Sequence, residues 1–312
     1  MRRMLGAIAV GSLLAVSTSA QAPQSTTPVP APPAVWTLSE GFALPESAYH
    51  DPVSNAVFVS SINGDLLAKD GNGYVSRLTA DGKVVNAKWV TGLNGPKGMR
   101  SAGGTLWVAD IDEVVAVDIA SGKITARVSV DGATFLNDLA TAPDGTVYVS
   151  DSQGSKIYAV KDGRSSVFVE GADLVQQPNG LLVDGNRLVL GTVGPVAAPG
   201  APRGGAGRGR GGPPAGGILV AFDLQTKQRT LLTTGPVGGV DGIEPDGKGG
   251  LLITDVFGSR IVHVPVSGPP RTVLQLAAAG ADFSFIPATR TAIVPFLFGN
   301  SVSAYDLTAM LK

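Results

Sequence analysis

The sequence predicts an all-β protein, a six-bladed β-propeller, on three observations: a motif that recurs six times, turn chemistry between its short strands, and an N-terminal strand that completes the last unit. In the motif a polar residue opens one strand, a turn follows, and a second strand ends near Asp, Ser or Thr. Copies begin at Leu44 (LPESAYHDPVSNAVFVSS), Gly95, Phe135, Gln177, Gly239 and Gly280. Their opening polar residues are Glu46, Lys97, Asn137, Asn179, Asp241 and Asp282, in steps of 51, 40, 42, 62 and 41 residues. A period of about forty residues marks a repeat architecture, because one such unit cannot bury its own apolar face and must stack on its neighbours.

Each unit continues into a third β-rich run: Tyr74 to Leu78, Val114 to Ile119, Lys156 to Val160, Ile218 to Leu224, Arg260 to Val264 and Ser301 to Leu307. Several alternate apolar and polar residues, as half-buried strands do. The Asp-Gly pairs at Asp81, Asp144, Asp162, Asp184 and Asp246 suit tight hairpin turns, where positive φ is required. Six units of up to four antiparallel strands give a propeller, whose radial repetition protects sheet edges. The last unit supplies three strands before Lys312, so Ala34 to Ser39 is expected to add the missing outer strand and close the ring.

Composition agrees with strands and turns: 42 Gly and 22 Pro in 312 residues, without long helical periodicity. The balance of 24 basic against 25 acidic residues gives no reason to expect nucleic acid or an anionic membrane as partner. A small-molecule substrate and a monomer are the expectation.

The N-terminus reads as an export signal. Arg2 and Arg3 precede an apolar run from Leu5 to Val16, too short to span a bilayer, and Ala20-Gln21-Ala22 forms an A-x-A cleavage site. Residues 1–22 are therefore expected to be a signal peptide, residues 23–33 a flexible leader, and residues 34–312 the propeller, in a periplasmic or secreted protein. The chain has no Cys, which excludes disulfides and a lipoprotein anchor. The long step of 62 is explained by a Gly/Pro/Arg-rich insertion over residues 194–217, between the second and third strands of the fourth unit, with no apolar periodicity of its own.

In a propeller the first strand of each blade lines the central channel, so the six polar residues are expected to converge at one mouth. Glu46 and Asp241 bring carboxylates, Asn137 and Asn179 carboxamide oxygens. Four hard oxygen donors suit one divalent cation, Ca²⁺ first and Mg²⁺ or Mn²⁺ next. Zinc is disfavoured, since the two histidines, His50 and His263, lie outside the ring. The competing reading takes the ring as ordinary channel polarity and each Gly after Asn or Asp as turn chemistry. Asp110, Asp151 and Asp255, which close second strands, read as structural ties. Asp65, Asp70 and Asn72 lack the spacing of a calcium loop and read as turns.

These residues resemble the regucalcin (senescence marker protein), gluconolactonase and luciferin-regenerating-enzyme family, with diisopropyl-fluorophosphatase and paraoxonase as distant relatives. The resemblance rests on an early Glu (Glu46 in LPES), an N-D pair (Asn137 and Asp138), P-N-G (Pro178 to Gly180) and D-G (Asp241 and Gly242), in that order. It implies a metal-dependent hydrolase of lactones or esters in which Glu46, Asn137, Asn179 and Asp241 hold the cation. Asp241 would be ligand and base, with Asp138 as orienter or alternative base. The chain departs from the sugar lactonases at Phe135, where they carry Arg. With Lys97 and Asp282, Phe135 is expected to face the substrate, Lys97 either orienting an anion or pairing with Asp282 or Glu46. No G-x-S-x-G elbow offers a serine nucleophile. A non-catalytic binding or scaffold propeller is the alternative.

Overall fold

A computed structural model describes residues 32–171, 175–194 and 216–312. The expected signal peptide, nearly all of the leader and most of the insertion lie outside the described residues. The first strand, β1 (Trp36–Leu38), stands apart in sequence from the blade it joins. Blade 1 comprises β2 (Pro45–Asp51), β3 (Ala56–Ser61), β4 (Gly73–Thr79) and β5 (Val84–Leu93). Blade 2 is β6 (Pro96–Ala102), β7 (Thr105–Asp110), β8 (Glu113–Asp118) and β9 (Ile124–Ser129). Blade 3 is β10 (Leu136–Thr141), β11 (Val147–Asp151), β12 (Lys156–Lys161) and β13 (Arg164–Glu170). Blade 4 is β14 (Pro178–Asp184), β15 (Arg187–Thr192), β16 (Leu219–Asp223) and β17 (Arg229–Leu231). Blade 5 is β18 (Val240–Pro245), β19 (Leu251–Asp255), β20 (Arg260–Val264) and β21 (Arg271–Gln275). Blade 6 is β22 (Ser284–Ile286), β23 (Thr291–Phe296) and β24 (Ser301–Asp306), with β1 as its outer strand.

The protein is thus the predicted six-bladed β-propeller, six four-stranded antiparallel sheets, five with their strands in sequence order and the sixth completed by β1 beside β24. The inner strands pack in a closed ring, β2 on β6, β6 on β10, β10 on β14, β14 on β18, β18 on β22 and β22 on β2. Closure follows the expected route: Trp36, Thr37 and Leu38 pair with Ala304, Ser303 and Val302. Trp36 also lies on the Asp81-Gly82 turn of blade 1, where a Cβ on Gly82 would come within 2.6 Å of the indole.

Strand periodicity explains the core. Successive side chains of a strand point to opposite faces, so each central strand feeds two inter-blade clusters. On β3, Val57 and Val59 pack against Ile293, Val302 and Ala304 of blade 6, whereas Phe58 packs against Met99, Leu106 and Val108 of blade 2. Comparable clusters fill the other interfaces, with Ile243 and Ile253 of blade 5 against Val189 and Leu219 of blade 4. Among the described residues no helix is long and apolar enough to cross a membrane.

Candidate functional site

Five inner strands carry a β-bulge at the position the motif marks. The register shifts by one residue between Pro45 and Ser47, Pro96 and Met99, Leu136 and Leu139, Pro178 and Leu181, and Val240 and Ile243. A bulge leaves one residue unpaired and re-aims its side chain, which is how Glu46, Lys97, Asn137, Asn179 and Asp241 leave the strand alternation. It also frees an N–H, and the Ser or Thr near the end of the second strand accepts it in three blades. Ser60 Oγ accepts Ser47 N, Ser150 Oγ accepts Asp138 N and Thr254 Oγ1 accepts Gly242 N. In blade 6 Asp282 precedes its strand and is held directly to β2, Asp282 N donating to Glu46 O and Ala48 N to Asp282 O.

The glycines of the motif have a different cause from the turn chemistry the sequence suggested. Gly98, Gly180 and Gly242 follow the ring residues Lys97, Asn179 and Asp241, and none has positive φ. They allow neighbouring blades to touch. A Cβ on Gly180 would lie 2.0 Å from the Asp241 carbonyl oxygen, and one on Gly242 would lie 2.6 Å from Asp282 Oδ1.

All six opening residues are buried, and they fall into two sets. Glu46, Asn137, Asn179 and Asp241 keep 6–8% of their surface, while Lys97 and Asp282 keep 1%. In the first set Glu46 Oε2, Asn179 Oδ1 and Asp241 Oδ1 are buried without a hydrogen-bond partner. Asn137 donates its amide N–H to Ser152 Oγ at 3.1 Å, which fixes the orientation of the carboxamide. Burial, followed by the charges of Asp241 and other ring acids, holds the Glu46 carboxyl well above its ordinary range against the pull of Lys97. Burial and Asp282 push Asp241 up to about 7, partly offset by its hydrogen bond with Asn179.

Lys97 and Asp282, placed by the sequence among substrate contacts, lie below that surface. Lys97 Nζ donates to Gly95 O at 2.9 Å and sits 4.5 Å from the centre of the Phe135 ring, which covers it. Burial lowers its pKa despite the charges of Glu46 and Asp110. Asp282 does not pair with Lys97. Its Oδ2 accepts Ser47 Oγ at 2.6 Å and lies 3.8 Å from the Arg100 guanidinium. Asp138, 1% exposed, accepts Leu139 N on Oδ1 and Leu181 N on Oδ2, each at 2.7 Å, tying blade 3 to blade 4. Burial and Asp282 raise its pKa well above the ordinary value, with Arg100 and the two N–H groups acting the other way. As placed, neither Lys97 nor Asp282 presents surface to a ligand at the mouth, and Asp138 already uses both oxygens.

The feature missing from the sequence reading is a bridge across the channel. Arg100, three residues after Lys97, reaches from blade 2 to the opposite blade 5, where its Nη2 lies 3.4 Å from both Glu244 Oε1 and Ile243 O. The Glu244 contact is an ion pair without a hydrogen bond. Arg100 Nη1 donates to Met99 O, and the guanidinium stands 5.4 Å from the Tyr49 ring centre. Burial lowers the Arg100 pKa, but Glu244, Asp282 and Asp138 together outweigh it and keep the cation charged. Burial pushes Glu244 up to about 8 despite Arg100. A signal existed: three residues past the opening position the chain reads Tyr49, Arg100, Ala140, Leu182, Glu244 and Phe285, four apolar or aromatic residues and one ion pair.

The expected structural ties hold as such. Asp110 accepts Asn94 N and Gly95 N, Asp151 accepts Thr134 N, Phe135 N and Gly154 N, and Asp255 accepts Gly239 N and Gly258 N and pairs with Arg260. Asp65 and Asp70 bond within their own loop. His50 bonds Asn55 and His263 bonds Asp246, both away from the ring. Among the described residues no group of three or more His, Cys, Asp or Glu side chains is placed to hold a metal. The candidate ring offers two carboxylates and two carboxamides instead.

No family model matches the chain, and no curated protein matches it. Its fold is similar to many solved structures. A gluconolactonase from Xanthomonas campestris is 18% identical, with 88% of this chain and 98% of that chain covered and a TM-score of 0.54. A catalytically inactive virginiamycin B lyase from Staphylococcus aureus, solved with quinupristin, is 12% identical over 86% and 97% of the two chains, with a TM-score of 0.55. A chain of the nidogen–laminin complex is 16% identical over 78% and 89%, with a TM-score of 0.59. Enzymes and a protein–protein complex both appear, so these likenesses show the propeller fold, and the site must carry the functional argument.

Proposed function

We propose that the protein is an exported, metal-dependent hydrolase of the gluconolactonase type, acting on a lactone or ester at the mouth of the channel. The observation that carries this is the trio of buried, unpartnered oxygens, Glu46 Oε2, Asn179 Oδ1 and Asp241 Oδ1, on residues that also keep a little exposed surface. Buried polar atoms are ordinarily hydrogen-bonded, and those that are not call for a ligand or a catalytic role. The charge balance points the same way. Glu46, Asp138, Asp241, Glu244 and Asp282 all have raised pKa values around two cations, Lys97 and Arg100, so a further positive charge would relieve the ring.

Glu46, Asn137, Asn179 and Asp241 are the residues that would hold a divalent cation, Ca²⁺ by donor type, with Mg²⁺ or Mn²⁺ able to use the same oxygens. When bound, such an ion supplies Lewis-acid polarisation of a carbonyl and stabilises developing negative charge on its oxygen. The chain's own residues do the rest. Asp241, whose buried Oδ1 has no partner in the protein, would take the proton of an attacking water. Asp138 holds blades 3 and 4 in register beneath the ring, and Arg100 crosses the channel to Ile243 O and Glu244 on the opposite blade.

The test joins metal analysis of the mature protein with a screen of lactones and aryl esters, with and without chelator. One bound ion per chain and chelator-sensitive hydrolysis are expected. Activity that persists in chelator and in Asp241→Asn would overturn the mechanism, and a bound ion without hydrolysis of any lactone or ester would favour a binding propeller.

A further inference from the structure

The bulge that turns Glu46 inward also leaves it without a partner on β3, where Pro45 pairs with Ser61 and Ser47 with Ser60. Its own sheet therefore does not settle where its carboxylate points. Asp282, just before the inner strand of blade 6, brackets it instead. Asp282 N donates to Glu46 O at 3.1 Å and Ala48 N donates to Asp282 O at 3.0 Å, the two bonds of a parallel bridge between Ser47 and Asp282. Between them Ser47 Oγ donates to Asp282 Oδ2 at 2.6 Å. These bonds fall on Glu46 and on the two residues after it, while Glu46 Oε2 stays without a partner.

Asp282 is itself held by its neighbours. Its Oδ2 lies 3.8 Å from Arg100 Nη1, and Arg100 is anchored by Met99 O, Ile243 O and Glu244. Its Oδ1 lies against Gly242, the residue after Asp241, where a Cβ would come within 2.6 Å. Thr254 Oγ1 accepts Gly242 N and donates to Ala281 O, so blade 5 also fixes the backbone next to Asp282. One carboxylate therefore touches the backbone that carries both ring carboxylates, Glu46 in blade 1 and Asp241 in blade 5. Asn179 is bracketed in the same manner from blade 3, with Ser152 Oγ donating to Pro178 O and Leu181 N to Asp138 Oδ2. Both bracketed residues carry a buried oxygen without a partner, Glu46 Oε2 and Asn179 Oδ1.

We infer that Asp282 is a positioning residue of the cation site: through Glu46 O, Ser47 Oγ and Ala48 N it holds Glu46 in the ring with Asn137, Asn179 and Asp241, and Arg100 fixes its carboxylate in turn. This rests on the cation reading of the ring and is independent of the lactone or ester chemistry. At 1% exposure Asp282 meets no ligand itself, so it acts only through Glu46. Groups that orient the ligands of a metal govern affinity almost as strongly as the ligands do. Ser47, which changes no charge when it is replaced, isolates that effect.

The experiment compares wild type, S47A and S284A by calorimetry with Ca²⁺, by luminescence lifetimes of bound Tb³⁺ in H₂O and D₂O, which count the waters left on the ion, and by thermal melts. Ser284 Oγ accepts His50 N at 3.0 Å across the same seam, so S284A also deletes one hydrogen bond between blades 1 and 6, but away from Glu46. Both variants should lose comparable thermal stability. Only S47A should bind Ca²⁺ about tenfold or more weakly and carry about one more water on Tb³⁺, since water fills the place of a displaced carboxylate oxygen. D282A and D282N repeat the test should S47A fail to fold. Both remove the charge, but only the alanine removes the oxygen that Ser47 Oγ reaches, so D282A should gain the water and D282N should not. Affinity and water count unchanged in S47A, equal changes in S47A and S284A, or equal water counts in D282A and D282N would overturn the inference and leave the cation reading intact. A wild type that binds neither ion would remove the cation reading, and this inference with it.

Discussion

Asp241 and Asp255 lie fourteen residues apart in one blade, both buried, and do opposite things with the same carboxylate. Asp255 Oδ1 accepts Gly239 N and Gly258 N and its Oδ2 accepts Arg260 Nε, so the carboxylate ties the loop before the strand that carries Asp241 to the turn after its own. Asp241 keeps Oδ1 unpartnered and its pKa is pushed up to about 7. A saturated carboxylate stabilises the fold. An unsaturated one lowers stability and is retained where a ligand completes it. Asp282 Oδ1 and Glu244 Oε1 are unpartnered too, but Asp282 is less exposed than Asp241 and Glu244 faces Arg100, so the difference marks Asp241 as a candidate for the site and Asp255 as a tie.

The comparison breaks most readily by exchange of the two carboxylates for amides. Asp241→Asn should reduce lactone or ester turnover by about a hundredfold or more, the size expected when one group facing the transition state is lost, with melting temperature near wild type. Asp255→Asn should do the reverse, costing about 2–4 kcal/mol of stability through its broken bonds to backbone and Arg260. Thermal melts and steady-state assays on both variants decide it. Equal thermal losses would make Asp241 another tie.

A smaller effect sharpens where scaffold and site meet. Gly242→Ala places a methyl against Asp282 Oδ1 and Phe283 N, 2.6 and 2.8 Å away, and should cost about 1–3 kcal/mol, since both neighbours are packed. Unchanged stability in a denaturant titration would show that the blades can separate at this point.

The smallest effect concerns the floor of the channel. Glu244 has a folded-state pKa of about 8, above the ordinary 4.5. A raised carboxyl stabilises the fold fully below the unfolded value and loses that contribution as pH rises through the folded one. The wild-type melting temperature in chelator should therefore decline between pH 5 and 9 more steeply than that of Glu244→Gln, which cannot ionise. Parallel profiles would mean that Arg100 keeps Glu244 ionised throughout.

The ring was legible because a propeller repeats one local device. A polar residue at the start of each inner strand, a bulge, and a hydroxyl on the next strand to accept the freed N–H all recur within about twenty residues, as in Asn137, Asp138 and Ser150. The closing strand at Trp36 was legible for the same reason, since the last unit lacked a fourth strand. The motif glycines were legible as residues but not in purpose. Gly180 is explained by an Asp241 carbonyl sixty-one residues on, in the next blade.

What the sequence determined alone is what local periodicity can encode: strand period, turn positions, the count of blades and the polar residue each turns inward. What only the tertiary structure decided is which of those residues meet and which remain incomplete. Arg100 and Glu244 become partners because six blades put the second opposite the fifth, and Lys97 loses its surface because Phe135 of the next blade settles on it. Those contacts span the ring, and their energies depend on distance and burial that no segment fixes until the ring is closed.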